Sequence, residues 1–121
     1  MKYELYWRLF AKTKSIDKAG KILERFLRET KVELNVISKE VYWKDSSLIQ
    51  IEGTTDLDSF TPGSLIHEVL LCIKKVSAEW SLSIHEGQYD GYLDLSGITD
   101  KSMRISGLTW VSFTMQEVHL E

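Results

Sequence analysis

The chain lacks most of the features that announce a function. Its 121 residues include one cysteine, Cys72, which excludes an internal disulfide and any multi-cysteine metal site. Cys72 stands in the apolar run Val69-Leu70-Leu71-Cys72-Ile73, where a small core residue is expected rather than a nucleophile. No 18 apolar residues run together, so no transmembrane helix is expected. Glu4 and Arg8 break the first segment before a signal-peptide apolar region could form, which leads us to expect a cytoplasmic protein.

Catalytic signatures are missing too. His67-Glu68 begins like the zinc-protease helix, but the position of the second histidine is Leu71, and two nitrogens one helical turn apart are what make that motif work. Ser96-Gly97 and Ser106-Gly107 lack the G-x-S-x-G frame that exposes a nucleophile on a strained turn. Gly87, Gly91 and Gly97 have neither dinucleotide-binding spacing nor a Walker lysine. Asp56-Leu57-Asp58 and Asp90…Asp94 lack the glycine and distal glutamate of a calcium loop. His85 and His119 have no partner encoded nearby. The expectation is a protein that is not an enzyme, with no cofactor and no metal.

What is present is an ordinary globular composition, 43% hydrophobic and 27% charged, with net charge -3. The length suits a single domain over residues 1–121. Tyr3, Leu5, Trp7, Leu9 and Ala11 alternate as one face of a strand. A helix follows, with Ser15 as N-cap, Asp17 in the first turn, and Ile16, Ala19, Ile22, Leu23, Phe26 and Leu27 at helical period. Strand character resumes near Val32, and the apolar parity changes between Val36 and Val41, which a bulge or a bend near Ser38-Lys39 would account for. Lys44-Asp45-Ser46-Ser47 reads as a hairpin connection to a strand over residues 48–52. Thr61-Pro62 opens a second helix with an apolar face of Leu65, Ile66, Val69, Leu70, Ile73 and Val76. Trp80, Leu82 and Ile84 alternate inward in the next strand, and further β segments fall near residues 89–95 and 104–118.

This order predicts an α+β fold of split β-α-β (ferredoxin-like) type, β-α-β-β-α-β, with additional C-terminal antiparallel strands. Both helices should pack on one face of the sheet, and the added strands should extend the sheet or fold over its end.

The charges divide unevenly. From Arg8 to Lys31 the eight bases Arg8, Lys12, Lys14, Lys18, Lys21, Arg25, Arg28 and Lys31 face only Asp17, Glu24 and Glu29. Asp17–Lys21 and Glu24–Arg28 are i,i+4 pairs, so this flank reads as a solvated, internally paired helix face. From Asp45 to Asp100 ten acids stand against Lys74 and Lys75 alone. Aromatics lie among these acids, an arrangement suited to a protein–protein interface. The candidate partner-binding residues are Asp45, Glu52, Asp56, Asp58, Asp90 and Asp94, with Trp43, Tyr89 and Tyr92.

In size, charge layout and α+β order, the chain resembles the small cytoplasmic bacterial immunity proteins that inhibit nuclease toxins, including those of contact-dependent growth inhibition. The resemblance implies a non-catalytic toxin inhibitor that covers a basic partner through an acidic, aromatic-flanked surface. It carries no diagnostic motif and transfers no residue roles. The alternative is a small ligand-binding or regulatory domain of the same fold, a class that includes dimers formed through the sheet. An RNA-binding variant would use Tyr6, Phe10 and the basic helix. It is disfavoured by the negative net charge and by the missing aromatic signature of such domains.

Overall fold

The computed structural model describes residues 2–57, 62–86 and 93–118. The elements run β1 (Lys2–Ala11), α1 (Ile16–Thr30), β2 (Asn35–Val41), β3 (Ile49–Leu57), α2 (Pro62–Ile73), β4 (Ser77–Glu86), β5 (Leu93–Met103) and β6 (Leu108–Val118). They form an α+β structure, with six strands in one antiparallel sheet of order β2-β3-β1-β6-β5-β4.

Alternation in β1 decides which face is covered. Tyr3, Leu5, Trp7, Leu9 and Ala11 are buried, and their partners across β3 and β6 include Ile51, Ile49, Met115, Phe113 and Val111. Trp7 is the centre of this layer. Its ring meets Phe26 of α1 edge-on at 5.2 Å and Phe113 of β6 at 5.8 Å. Its Nε1 donates to Thr55 Oγ1 at 3.1 Å.

Both helices lie on this face and share one core. α1 starts at Ser15, whose hydroxyl accepts from the Lys18 N–H, and ends at Lys31 in the left-handed conformation. It buries Ala19, Ile22, Leu23 and Phe26. α2 buries Leu65, Val69 and Ile73, one turn apart on one stripe. Trp80 of β4 ties α2 to the sheet, donating to the Ile73 carbonyl at 2.9 Å and meeting Phe113 at 5.4 Å.

The element order matches the expectation, but the strand order does not. In the split β-α-β plan the strand after α2 would pair with β1. Here β6 takes that place, and β4 is carried to the far edge. The two added strands are therefore interposed between β1 and β4 and do not extend the sheet beyond it. Successive hairpin pairing of β4 with β5 and of β5 with β6 fills the gap, and β6 then matches β1 along almost its whole length.

Other boundaries moved as well. β2 begins at Asn35, and its register shifts between Val36 and Ser38, beside the place where the parity change called for a bulge or a bend. β3 continues to Leu57, because β1 offers it nine consecutive partners. Asp56 thus lies in a strand rather than in a connection. β5 runs through Gly97, where a Cβ would come 2.6 Å from the Phe113 ring and 2.8 Å from Leu82. A glycine inside a strand here admits an aromatic ring and marks no turn. The turn lies later, at Gly107, whose φ of +98° suits glycine alone. Leu82 and Ile84 are 42% and 54% exposed although they point to the helix side. β4 is an edge strand, and among the described residues nothing covers its outer half.

Candidate functional site

The candidate residues fall into three groups. The first surrounds β2, the edge strand opposite β4. Tyr42 N–H bonds to the Leu48 carbonyl and Leu48 N–H to that of Asp45, closing the β2–β3 hairpin. The Asp45 carboxylate accepts from the Ser47 N–H at 2.9 Å and from its hydroxyl at 2.6 Å. Those bonds hold its carboxyl below the usual carboxylate range, the hydroxyl contributing most. Asp45 is therefore a fixed, ionised group at the tip. Trp43 stands beside it, with the Lys44 ammonium 4.9 Å from its ring.

Along β2 itself Val36, Ile37 and Val41 are 47%, 61% and 50% exposed, and Trp43 is 82% exposed. Glu33, Glu40 and Asp45 are exposed around them. Lys39, the cation within this strand, brings its Nζ 3.7 Å from where a Cβ on Gly20 would stand, over α1. At the other end of β3, a concavity of about 670 Å³ is lined by Glu33, Asp56 and Glu68 with Lys31 as its cation. Asp56 lies seven residues along β3 from Ile49, roughly 23 Å at the rise of a strand, so Asp45 and Asp56 belong to opposite ends of one edge.

Glu52 stands apart from these acids, on the sheet face away from the helices. Arg8 Nε lies 3.8 Å from Glu52 Oε1, and the Gln50 side-chain amide donates to the same oxygen. Tyr6 also gives its hydroxyl to Glu52, and its phenol is raised above 10.0, first by burial and then by that carboxylate. Glu52 is thus engaged by its neighbours on this face and is a poor candidate for a partner contact. Beside it Arg8, Phe10, Tyr42, Leu48 and Trp110 line a smaller cavity of about 240 Å³. Phe10 is only 4% exposed beneath its neighbours, so it offers no face on which a nucleobase could stack.

The third group lies at the β4–β5 end. Asp94 pairs in register with His85. Asp58, Tyr89, Asp90 and Tyr92 lie outside the described residues, as does His119. His67 is exposed at the rim of a groove of about 390 Å³ between α2 and β4, lined by Leu70, Leu71, Trp80 and Leu82 and, among the described residues, by no carboxylate. Cys72 is half-buried, and burial pushes its thiol up to about 11, which suppresses the reactive thiolate.

The basic flank of α1 needs correcting. Neither Asp17–Lys21 nor Glu24–Arg28 comes within 4.0 Å, and Arg8–Glu52 is the one ion pair of that length among the described residues. The spacing permits contact on a helix, but exposed side chains at these positions gain too little from it to be held together. Arg25 instead reaches the Ser106 carbonyl at 3.3 Å.

Glu33, Glu68 and Arg8 were not among the candidates from sequence. Glu33 precedes a strand and Glu68 sits on a helix, and only folding brings either of them to Asp56. Arg8 could have been found by its place among the aromatics Tyr6, Trp7 and Phe10. Among the described residues no group of three or more histidine, cysteine, aspartate or glutamate side chains gathers as a metal site, and no helix is long and apolar enough to cross a membrane. The chain matches no protein-family model, no curated protein and no solved structure.

Proposed function

We propose that the chain is a non-catalytic binding protein of the immunity type, which neutralises a basic, nuclease-class toxin by presenting its β2 edge. One observation carries this reading. Four large apolar side chains, Val36, Ile37, Val41 and Trp43, are left in solvent on one edge, among Glu33, Glu40, Asp45 and Asp56. Single exposed apolar residues are normal, but four on one edge strand and its hairpin tip, interspersed with charge, support an interaction surface. Tryptophan is among the residues that most often dominate binding energy. Carboxylates of one sign steer a cationic partner and exclude anionic ones.

The proposed contact residues are Trp43, Asp45 and Asp56, joined by Glu33, Glu40 and Glu68. Asp58, Asp90, Asp94, Tyr89 and Tyr92 belong to the same proposal on the strength of the sequence. Glu52 is withdrawn from it, because Arg8, Gln50 and Tyr6 already occupy its carboxylate. The β2-β3-β1 half supports reading the fold as a ferredoxin-like unit enlarged by β5 and β6. A cytoplasmic location would fit the same role.

The test is binding to the basic protein encoded beside this chain, measured as association and dissociation rates across a salt series. Asp45→Lys with Asp56→Lys should slow association about tenfold or more at low salt, with the difference shrinking as salt rises. Trp43→Ala should speed dissociation by about tenfold or more. All three positions are exposed, so the melting temperature should move little. Unchanged rates in both variants would reject the β2 edge as the interface.

A further inference from the structure

Arg8 is held in an environment that its present contacts do not satisfy. Its guanidinium carbon lies 5.5 Å from the centroid of the Phe10 ring and 5.8 Å from that of Trp110. Phe10 meets Trp110 edge-on at 4.7 Å and Tyr42 edge-on at 4.8 Å. The three rings fix one another, and with Leu48 they wall a cavity of about 240 Å³ that Arg8 also lines. The Nε of Arg8 is shielded from solvent and makes no hydrogen bond. Glu52 Oε1, at 3.8 Å, is too far to accept one, and Gln50 and Tyr6 already donate to that carboxylate. A shielded donor without an acceptor is costly, and in a native fold it calls for an explanation.

We infer that this cradle is a binding site for a carboxylate carried on a small aromatic ring. The guanidinium is a planar fork of donors that matches two carboxylate oxygens. The rings of Tyr42 and Trp110, with Phe10 buried behind them, supply edges and faces that favour an aromatic body over a flexible polar one. Pockets for larger ligands run from about 300 to 1,000 Å³, so the volume here suits a single ring. A phosphate fits the same fork less well. The cavity lining holds one cation, Glu52 places a negative charge beside it, and the remaining walls are largely apolar, so a dianion would be undercompensated. The site sits on the sheet face away from the helices and does not depend on the β2 edge binding a toxin.

The experiment is a heteronuclear NMR titration of the whole chain with benzoate, benzamide and phenyl phosphate as probes. Benzoate should give saturable shifts confined to Arg8, Phe10, Tyr42, Leu48 and the Trp110 indole. Benzamide, which keeps the ring and loses the charge, should bind about tenfold or more weakly, and phenyl phosphate should also bind more weakly than benzoate. Arg8→Gln should remove the preference for benzoate over benzamide. Glu52→Gln leaves the rings in place and removes the competing charge, so it should tighten benzoate several-fold. A purely structural Arg8 would show no such gain, and this variant decides the matter if Arg8→Gln fails to fold. Equal binding of benzoate and benzamide, shifts scattered away from the cradle, or no gain in Glu52→Gln would overturn the inference.

Discussion

The indole Nε1 of Trp7 donates to the hydroxyl of Thr55 at 3.1 Å inside the core, linking β1 to β3 through side chains beneath their backbone ladder. Both groups are buried, so each depends on the other for a partner. Thr55→Val keeps the shape and leaves the indole N–H unsatisfied. It should cost about 1–3 kcal/mol in a denaturant titration, whereas Thr55→Ser should cost less, because it keeps the acceptor. Equal losses from the two variants would show that methyl packing, and not the bond, matters there.

Two glycines should respond in opposite directions. Gly20 lies within α1 with only Lys39 Nζ near its missing Cβ, at 3.7 Å, which is ordinary contact. Gly20→Ala should therefore stabilise the fold by about 0.5–1 kcal/mol through helix propensity. Gly97→Ala would drive a Cβ into the Phe113 ring and Leu82, and should destabilise by about 1–3 kcal/mol. Thermal melts of the two variants should shift in opposite senses.

Cys72 should react slowly with a thiol reagent in the native state and readily once the chain is unfolded. Burial raises its thiol from 9.0 to about 11. The unfolded chain then loses this proton at lower pH than the folded one, so the thiol contributes stability below about pH 9.0 that is lost between 9.0 and about 11. Cys72→Ala should flatten the fall in stability across that window relative to the parent. An identical slope in both proteins would show that other groups account for it.

Ionisation of the Tyr6 phenol should depend on Glu52. Burial is the first cause of the raised Tyr6 phenol, and Glu52 adds to it by accepting its proton and by its charge, against a smaller opposing effect of Arg8. Glu52→Gln should bring Tyr6 ionisation back toward 10.0 without restoring it fully, as followed by tyrosinate absorbance. No movement would place Tyr6 and Glu52 out of contact in solution.

The sequence by itself determined everything local. The alternation of Tyr3 to Ala11 set the buried face of β1, Ser15 and Asp17 set the start of α1, and the parity change from Val36 to Val41 marked the place where the register of β2 shifts. These features depend on neighbours within a few residues, where side-chain period and capping bonds act. The tertiary structure alone decided what depends on distant pairing. That β6 rather than β4 lies beside β1 follows from competition between strands far apart in the chain, which no local pattern encodes. The charges divide for the same reason. Glu52 reads like Asp45 and Asp56 in sequence, yet folding sets it against Arg8, Gln50 and Tyr6, while the paired spacings on α1 stay unpaired in solvent. Which charge is satisfied and which is left for a partner is settled by contacts across the sheet, and those come into being only when the chain has closed on itself.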